Sequence, residues 1–152
     1  MLNLIGTYEC KVDAKGRFMF PVAFKGQLGD KSQLGFVIKR SIFRKCLEIY
    51  PFEVWKQESD RVSKLNRFRK KNVDFIRKFM SGVKMIELDS TGRLLIPKDL
   101  VRYGDITKDI VLASVVDKLE LWDKKAYEEA VDYDPDDFAD LAEEVMGEAE
   151  DE

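Results

Sequence analysis

Histidine is absent from the 152 residues, cysteine occurs twice and proline four times. Without imidazole there is no Ser-His-Asp or Cys-His catalysis, no His-liganded zinc or haem, and no side chain whose ordinary pKa lies near neutrality. Cys10 and Cys46 stand far apart with no C-x-x-C spacing, so neither a thiolate metal centre nor a disulfide scaffold is expected, and a reduced, cytoplasmic compartment fits best. Long apolar runs are missing too: none approaches the roughly 20 residues that span a bilayer. The opening Met1-Leu2-Asn3-Leu4-Ile5-Gly6 has no basic stretch of the kind that precedes a signal sequence. Neither secretion nor a membrane is expected.

Basic residues are missing from one long stretch. Residues 129–152 hold twelve acidic residues and no Lys or Arg, so residues 1–128 carry 26 basic against 17 acidic residues, a net +9 that the whole-chain charge of −3 conceals. A basic body with an acidic tail fits a polyanionic partner and a tail that shields the basic surface; it also fits a solvated tail on a mildly basic domain.

The sequence does contain a repeat. Asp13-Ala14-Lys15-Gly16-Arg17-Phe18-Met19-Phe20-Pro21 recurs as Asp89-Ser90-Thr91-Gly92-Arg93-Leu94-Leu95-Ile96-Pro97, and Leu47-Glu48-Ile49-Tyr50 recurs as Leu119-Glu120-Leu121-Trp122 at an offset four residues shorter. Two copies are too few for a solenoid and predict two similar units about a pseudo-two-fold axis. Each unit reads as strand, tight turn, strand, short helix, strand, strand. Tyr8, Cys10 and Val12, then Phe18, Phe20 and Val22, alternate as half-buried strands do. Asp13 and Asp89 suit an Asx-turn, and Gly16 and Gly92 supply the positive φ of a short hairpin. Pro21 and Pro97 open helices, and Gly104 closes the second. Phe36-Val37-Ile38-Lys39 and Ile110-Val111-Leu112-Ala113 are buried strands.

Between the copies, Trp55, Val62, Leu65, Phe68, Val73, Ile76 and Phe79 recur near a helical period and predict one or two helices with Phe68, Phe75 and Phe79 on the core side. The opposite face is basic, from Arg61 through Lys64, Arg67, Arg69, Lys70, Lys71 and Arg77 to Lys78. In the tail, Asp134-Pro135 reads as an N-cap, Phe138, Leu141, Ala142 and Val145 share one face, and Gly147 reads as a stop.

The D-x-x-G-R turns are the sharpest chemical signal. At a hairpin tip, Lys15 and Arg17 project as a cationic knob that reaches phosphates or, through the Arg fork, guanine O6 and N7, and a β-ribbon is narrow enough to enter a major groove. The alternative is that Arg17 and Arg93 pair with Asp13 and Asp89 and brace the fold. Lys15 against Thr91 makes the first turn the stronger candidate. The aspartates of the tail lack the loop spacing of a calcium site, and no nucleophile–base pair or phosphate-cradling loop is present, so no metal, cofactor, small-molecule substrate or enzymatic activity is expected.

The doubled D-x-x-G-R motif with Pro21 and Pro97, together with the closing Cys46-Leu47-Glu48-Ile49-Tyr50-Pro51 and Leu119-Glu120-Leu121-Trp122-Asp123, resembles the MraZ family. That resemblance covers about residues 5–127. It implies an α+β, β-rich fold in which two tandem AbrB-like half-units, similar to MazE, form a pseudo-two-fold swapped-hairpin β-barrel within one chain. It further implies a regulator of the division and cell-wall gene cluster that binds G-rich direct repeats in double-stranded DNA as a homo-oligomeric ring, usually as a repressor in the cytoplasm and nucleoid. DNA contact falls to Lys15 and Arg17, and next to Arg93. The expected division is 1–55 and 81–128 as half-units, 56–80 as connecting basic helices and 129–152 as the acidic tail. The rival reading is an antitoxin-like or protein-interaction module on the same fold.

Overall fold

Alternating and helical stretches settle into fourteen labelled elements in the computed structural model, which describes residues 2–151. In chain order they are β1 (Thr7–Lys11), β2 (Arg17–Met19), α1 (Val22–Leu28), β3 (Phe36–Arg40), β4 (Leu47–Pro51), α2 (Phe52–Ser63), α3 (Lys70–Phe79), β5 (Lys84–Ile86), β6 (Arg93–Leu95), α4 (Lys98–Tyr103), β7 (Asp109–Val115), β8 (Lys118–Asp123), α5 (Lys124–Val131) and α6 (Pro135–Asp151). A 3-10 segment, Gly29–Leu34, links α1 to β3. The order strand, turn, strand, helix, strand, strand occurs twice, as the repeat predicts.

The copies do not fold separately. Antiparallel pairing runs β1-β7-β8-β4-β3-β5 in a six-stranded sheet, with β2 and β6 in a separate two-stranded ribbon. Exchange of β1–β4 with β5–β8 maps the sheet order onto itself. Register obeys the same exchange: Cys10 pairs with Ile110 as Ile86 pairs with Phe36. The axis passes between Phe18 and Leu94 in the ribbon and between Glu48 and Glu120 in the sheet. The sheet is open, and no closed barrel is found among the described residues.

Equivalent positions supply the core. Phe18, Phe20 and Phe24 from the first copy meet Leu94, Ile96 and Leu100 from the second, above Phe36, Ile38, Leu47, Ile49, Ile110, Leu112, Leu119 and Leu121 of the sheet, all essentially without solvent exposure. Burial of each such side chain stabilises by roughly 1.5–3 kcal/mol, shared between halves neither of which owns a complete core. The other face of β3 and β4 is covered by α2 and α3: Val37 and Tyr50 pack on Val54, Trp55 and Phe79, with Trp55 and Phe79 stacked at 5.8 Å.

Several local expectations need correction. Val22 is 79% exposed, because Pro21 ends the strand alternation and Val22 is the first residue of α1. Phe68 is wholly exposed and Phe75 nearly half so; Phe68 lies in the loop between α2 and α3, where a helical period assigns no face. Gly104 does end α4, as its position predicts, though at φ −85°; the positive φ falls one residue later at Asp105. Gly147 does not stop α6, which runs through it to Asp151. One glycine weakens a helix by only about 1 kcal/mol, and Met146, Glu148 and Ala149 beside this one are good helix formers. The Asp134 cap does form, its Oδ2 accepting the N–H groups of Asp136 and Asp137 at 3.1 and 3.4 Å.

Candidate nucleic-acid interface

Each turn is built around one carboxylate. Asp13 Oδ1 accepts the backbone N–H of Lys15 and of Arg17, both at 2.9 Å. Arg17 C=O accepts from Asp13 N at 2.9 Å and Asp13 C=O accepts from Gly16 N at 3.0 Å. Gly16 sits at φ +87°, and a Cβ there would stand 3.0 Å from the Ile96 carbonyl oxygen, so the turn needs glycine both for its conformation and for its neighbour. The second turn repeats this with Thr91, Gly92 and Arg93 around Asp89, and adds the Thr91 hydroxyl donating to Asp89 Oδ1 at 2.8 Å.

The two arginines fold back onto these carboxylates. Arg17 Nε donates to Asp13 Oδ2 at 2.9 Å and Arg93 Nε to Asp89 Oδ2 at 3.0 Å, so the bracing pairs left open by the sequence do form. Neither arginine stands as a free knob: each side chain is about one-third exposed. The pairing uses Nε, and the terminal Nη groups make no further bond to the described residues. Each guanidinium is thereby held in a fixed orientation with its outer fork unspent. Lys15 is exposed at its tip.

Electrostatics follow the bonds. The Arg17 backbone N–H, helped against some desolvation by its guanidinium and by Lys15 N–H, holds the Asp13 carboxyl below the usual range. In the second turn the Arg93 N–H, with the Thr91 hydroxyl and N–H, holds Asp89 at about 2. Both aspartates are ionised at any physiological pH.

The ribbon of β2 and β6 brings these parts together. Phe18 and Leu94 point into the core, and Arg17 opposite Leu95 and Met19 opposite Arg93 form the other face, where Met19 and Leu95 are half exposed. Ile96 N donates to Gly16 C=O at 2.8 Å and Phe20 N to Gly92 C=O at 3.1 Å, which ties each turn to the end of the opposite strand. One short ribbon thus carries both turns, one at each end, with Arg17 and Arg93 diagonal on a single face.

The ends differ in charge. A cleft of about 350 Å³ beside the first turn is lined by Lys15, Lys98, Arg102 and the apolar Val12, Ile96 and Ile106. The positions matching Lys98 and Arg102 in the first copy are Val22 and Gly26. Reading the motifs alone missed Lys98 and Arg102; alignment of α1 against α4 carries the signal. The helix cations form a separate surface. Lys70 and Arg77 pair with Asp74 and Arg61 with Glu58 on their own helices, while Lys64, Arg67, Arg69 and Lys71 are exposed.

Away from the ribbon, a buried ion cluster went unread in the sequence. Lys39, with no solvent exposure, reaches Glu48 at 3.1 Å, and Lys118 reaches the other Glu48 oxygen at 2.9 Å. Tyr50 donates its hydroxyl to Glu48 at 2.9 Å. Burial alone would raise Glu48, but Lys118 and Lys39 hold it below its ordinary value, and burial outweighs Glu48 in pulling the Lys39 ammonium down. The signal is present: a lysine in an otherwise apolar buried strand, in register with a glutamate on the next. Cys46 is fully buried, its thiol pushed up to about 12, and burial likewise raises half-buried Cys10.

Known proteins share both repeats and nearly the whole length. The profile described as "MraZ protein, putative antitoxin-like" matches twice, over residues 4–78 and 79–148. The chain is 60% identical over 147 residues to a protein of Christiangramia forsetii, covering 97% of this chain and 95% of that one. It is 58% identical over 151 residues to one of Flavobacterium psychrophilum, with coverage of 99% and 96%, and 34% identical over 147 residues to one of Bacteroides thetaiotaomicron, with coverage of 96% and 94%. All three carry the name "Transcriptional regulator MraZ".

Proposed function

The chain belongs to the MraZ family, and from that membership we propose that it is a transcriptional regulator that binds double-stranded DNA through the turns of its β2–β6 ribbon. The observation that carries this reading is the pair of carboxylate-clamped arginines on one exposed ribbon face. Arg17, pre-oriented by Asp13 through Nε, offers its outer fork to guanine O6 and N7 without first losing side-chain freedom. Lys15, beside Lys98 and Arg102, engages flanking phosphates. Arg93 is the second reader, with Thr91 in place of a cation beside it. Asp13, Gly16, Asp89 and Gly92 form the turns rather than touching DNA.

The finer reading is a swapped-hairpin unit in which residues 1–55 and 81–128 are interleaved half-units joined by the basic helices of 56–80. Several copies close into a ring that engages G-rich direct repeats in the promoter of its own division and cell-wall cluster and represses it, in the cytoplasm and on the nucleoid. Direct repeats require neighbouring subunits in one orientation, which head-to-tail contacts supply, and several weak readers on one frame multiply their affinities. No described helix is long and apolar enough to cross a membrane. An antitoxin-like interaction module would need neither the clamped arginines nor the cationic cleft.

Binding to a duplex with G-rich direct repeats and to a scrambled duplex, over a range of salt, tests the proposal. Preference for the repeats, lost in Arg17→Ala at unchanged molar mass, is the expected result. Equal, weak binding to both duplexes would leave nonspecific electrostatics and put the interaction module first.

A further inference from the structure

Helix α6 is amphipathic, and its apolar face is left largely open: the ring of Phe138 meets that of Tyr133, just ahead of the helix, at 5.9 Å, and Leu141 and Ala142 are half-buried. Phe138, Leu141, Ala142 and Val145 fall at i, i+3, i+4 and i+7, the spacing of a helix that lies in a groove. Phe138, Val145 and the adjacent Met146 are nevertheless more than half exposed. The helix also carries eight acidic residues and no basic one.

A complementary surface lies on α2 and α3. There a groove of about 370 Å³ is lined by Val62, Ile76 and Met80 with the polar Ser59, Asp60, Ser63 and Arg67. The segment from Lys56 to Lys78 holds nine basic and three acidic residues. Beside the groove, on the loop that carries Arg67, the ring of Phe68 is wholly exposed. Within the groove Arg67 and Asp60 offset each other, but the segment around it is strongly basic, and an apolar trough in basic surroundings is what an acidic amphipathic helix requires.

We propose that α6 of one copy seats in the α2–α3 groove of a second copy, placing Phe138 and Leu141 on Val62, Ile76 and Met80 and its acidic flank against Arg67 and its neighbouring cations. Donor and acceptor are different surfaces, so each copy that gives its tail still offers its groove. Such a contact is head-to-tail and propagates to a ring or a chain rather than stopping at a two-fold dimer. The inference deepens the oligomeric reading above and rests on it. It also assigns the acidic tail to assembly and leaves the ribbon face uncovered.

Light scattering on DNA-free protein tests it with two variants. One ends at Tyr133 and keeps the groove; the other, Ile76→Glu, keeps the tail. Each alone loses the higher-order species, with self-association at least tenfold weaker, and their equimolar mixture forms a 1:1 pair that grows no further. Should Ile76→Glu fail to fold, Arg67→Glu on the exposed rim takes its place and gives the same pairing at low salt. A truncated chain that keeps the wild-type mass overturns the inference while leaving a ring intact. So does a mixture that stays unpaired, or a truncated chain that gains DNA affinity at unchanged mass, which would place the tail over the ribbon. A wild-type chain that is monomeric throughout overturns the oligomeric reading together with this one.

Discussion

A single carboxylate organises each turn, and the acid behaviour of the protein follows from that. Asp89 accepts two backbone N–H groups, a hydroxyl and an arginine Nε, and is held at about 2. An aspartate in the unfolded chain titrates near ~3.9. Because the folded value is the lower one, the stabilisation is complete above pH ~4 and is lost as the pH falls toward about 2. Urea midpoints should therefore drop across that window in the wild type and drop less in Asp89→Asn, which starts lower at neutral pH. The glycines of the same turns separate two causes of strain. Gly16→Ala and Gly92→Ala both place a side chain at φ above +80°, a conformation that disfavours L-residues by roughly 1–2 kcal/mol. Only at Gly16 does the new Cβ also meet a carbonyl oxygen, at 3.0 Å, whereas at Gly92 it meets Met19 sulfur at 3.6 Å. Melting temperatures should fall for both and further for Gly16→Ala. Turn residues were legible in sequence because aspartate and glycine have few other reasons to sit at that spacing. The direction of each arginine was not, since the same spacing serves a free cation and a clamped one.

At the scale of strands and helices, the pairing of β3 with β4 depends on a charge that alternation alone does not anticipate. Lys39 and Glu48 are opposite in register and both buried. Loss of the carboxylate charge in Glu48→Gln strands the Lys39 ammonium, and removal of one partner of a buried pair costs about 3–5 kcal/mol. Lys39→Met combined with Glu48→Gln should cost distinctly less than Glu48→Gln alone, measured by chemical denaturation. An equal cost would mean that Lys118 and Tyr50, not Lys39, depend on Glu48. The strand order along each copy was readable because proline and glycine punctuate it: Pro21, Pro51 and Pro97 each sit just ahead of a helix at φ near −55°. Exposure was less readable where two elements meet. Phe68 counts as core only if one helix runs through it, and the break between Ser63 and Lys70 removes that premise. Gly147 misled for the converse reason, as a stop signal inside a sequence of good helix formers.

For the molecule as a whole, the two-fold exchange holds in strand order and register and is broken in charge. The repeated motifs announce an axis, and the offset that shortens by four residues marks where a loop was trimmed; that β1 pairs with β7 and β3 with β5, instead of each half closing on itself, has no local signature, because strand partners depend on which edges the shared core brings side by side. Around the first turn charge breaks the symmetry at Lys15 against Thr91, Lys98 against Val22 and Arg102 against Gly26, with Lys25 against Val101 an exchange in the other sense. If the first turn is the principal reader, Arg17→Ala should weaken specific binding by the roughly 1–3 kcal/mol of a bidentate base contact, and Arg93→Ala by less. Thr91→Lys then gives the second turn the cation it lacks. Its effect should be an affinity gain shared by specific and scrambled duplexes, with the slope of log K against log salt steeper by about 0.9 for each phosphate contact added per bound copy. An unchanged slope would mean that the second end of the ribbon stands clear of the phosphates, and equal losses from Arg17→Ala and Arg93→Ala would mean that both ends read bases despite their difference in charge.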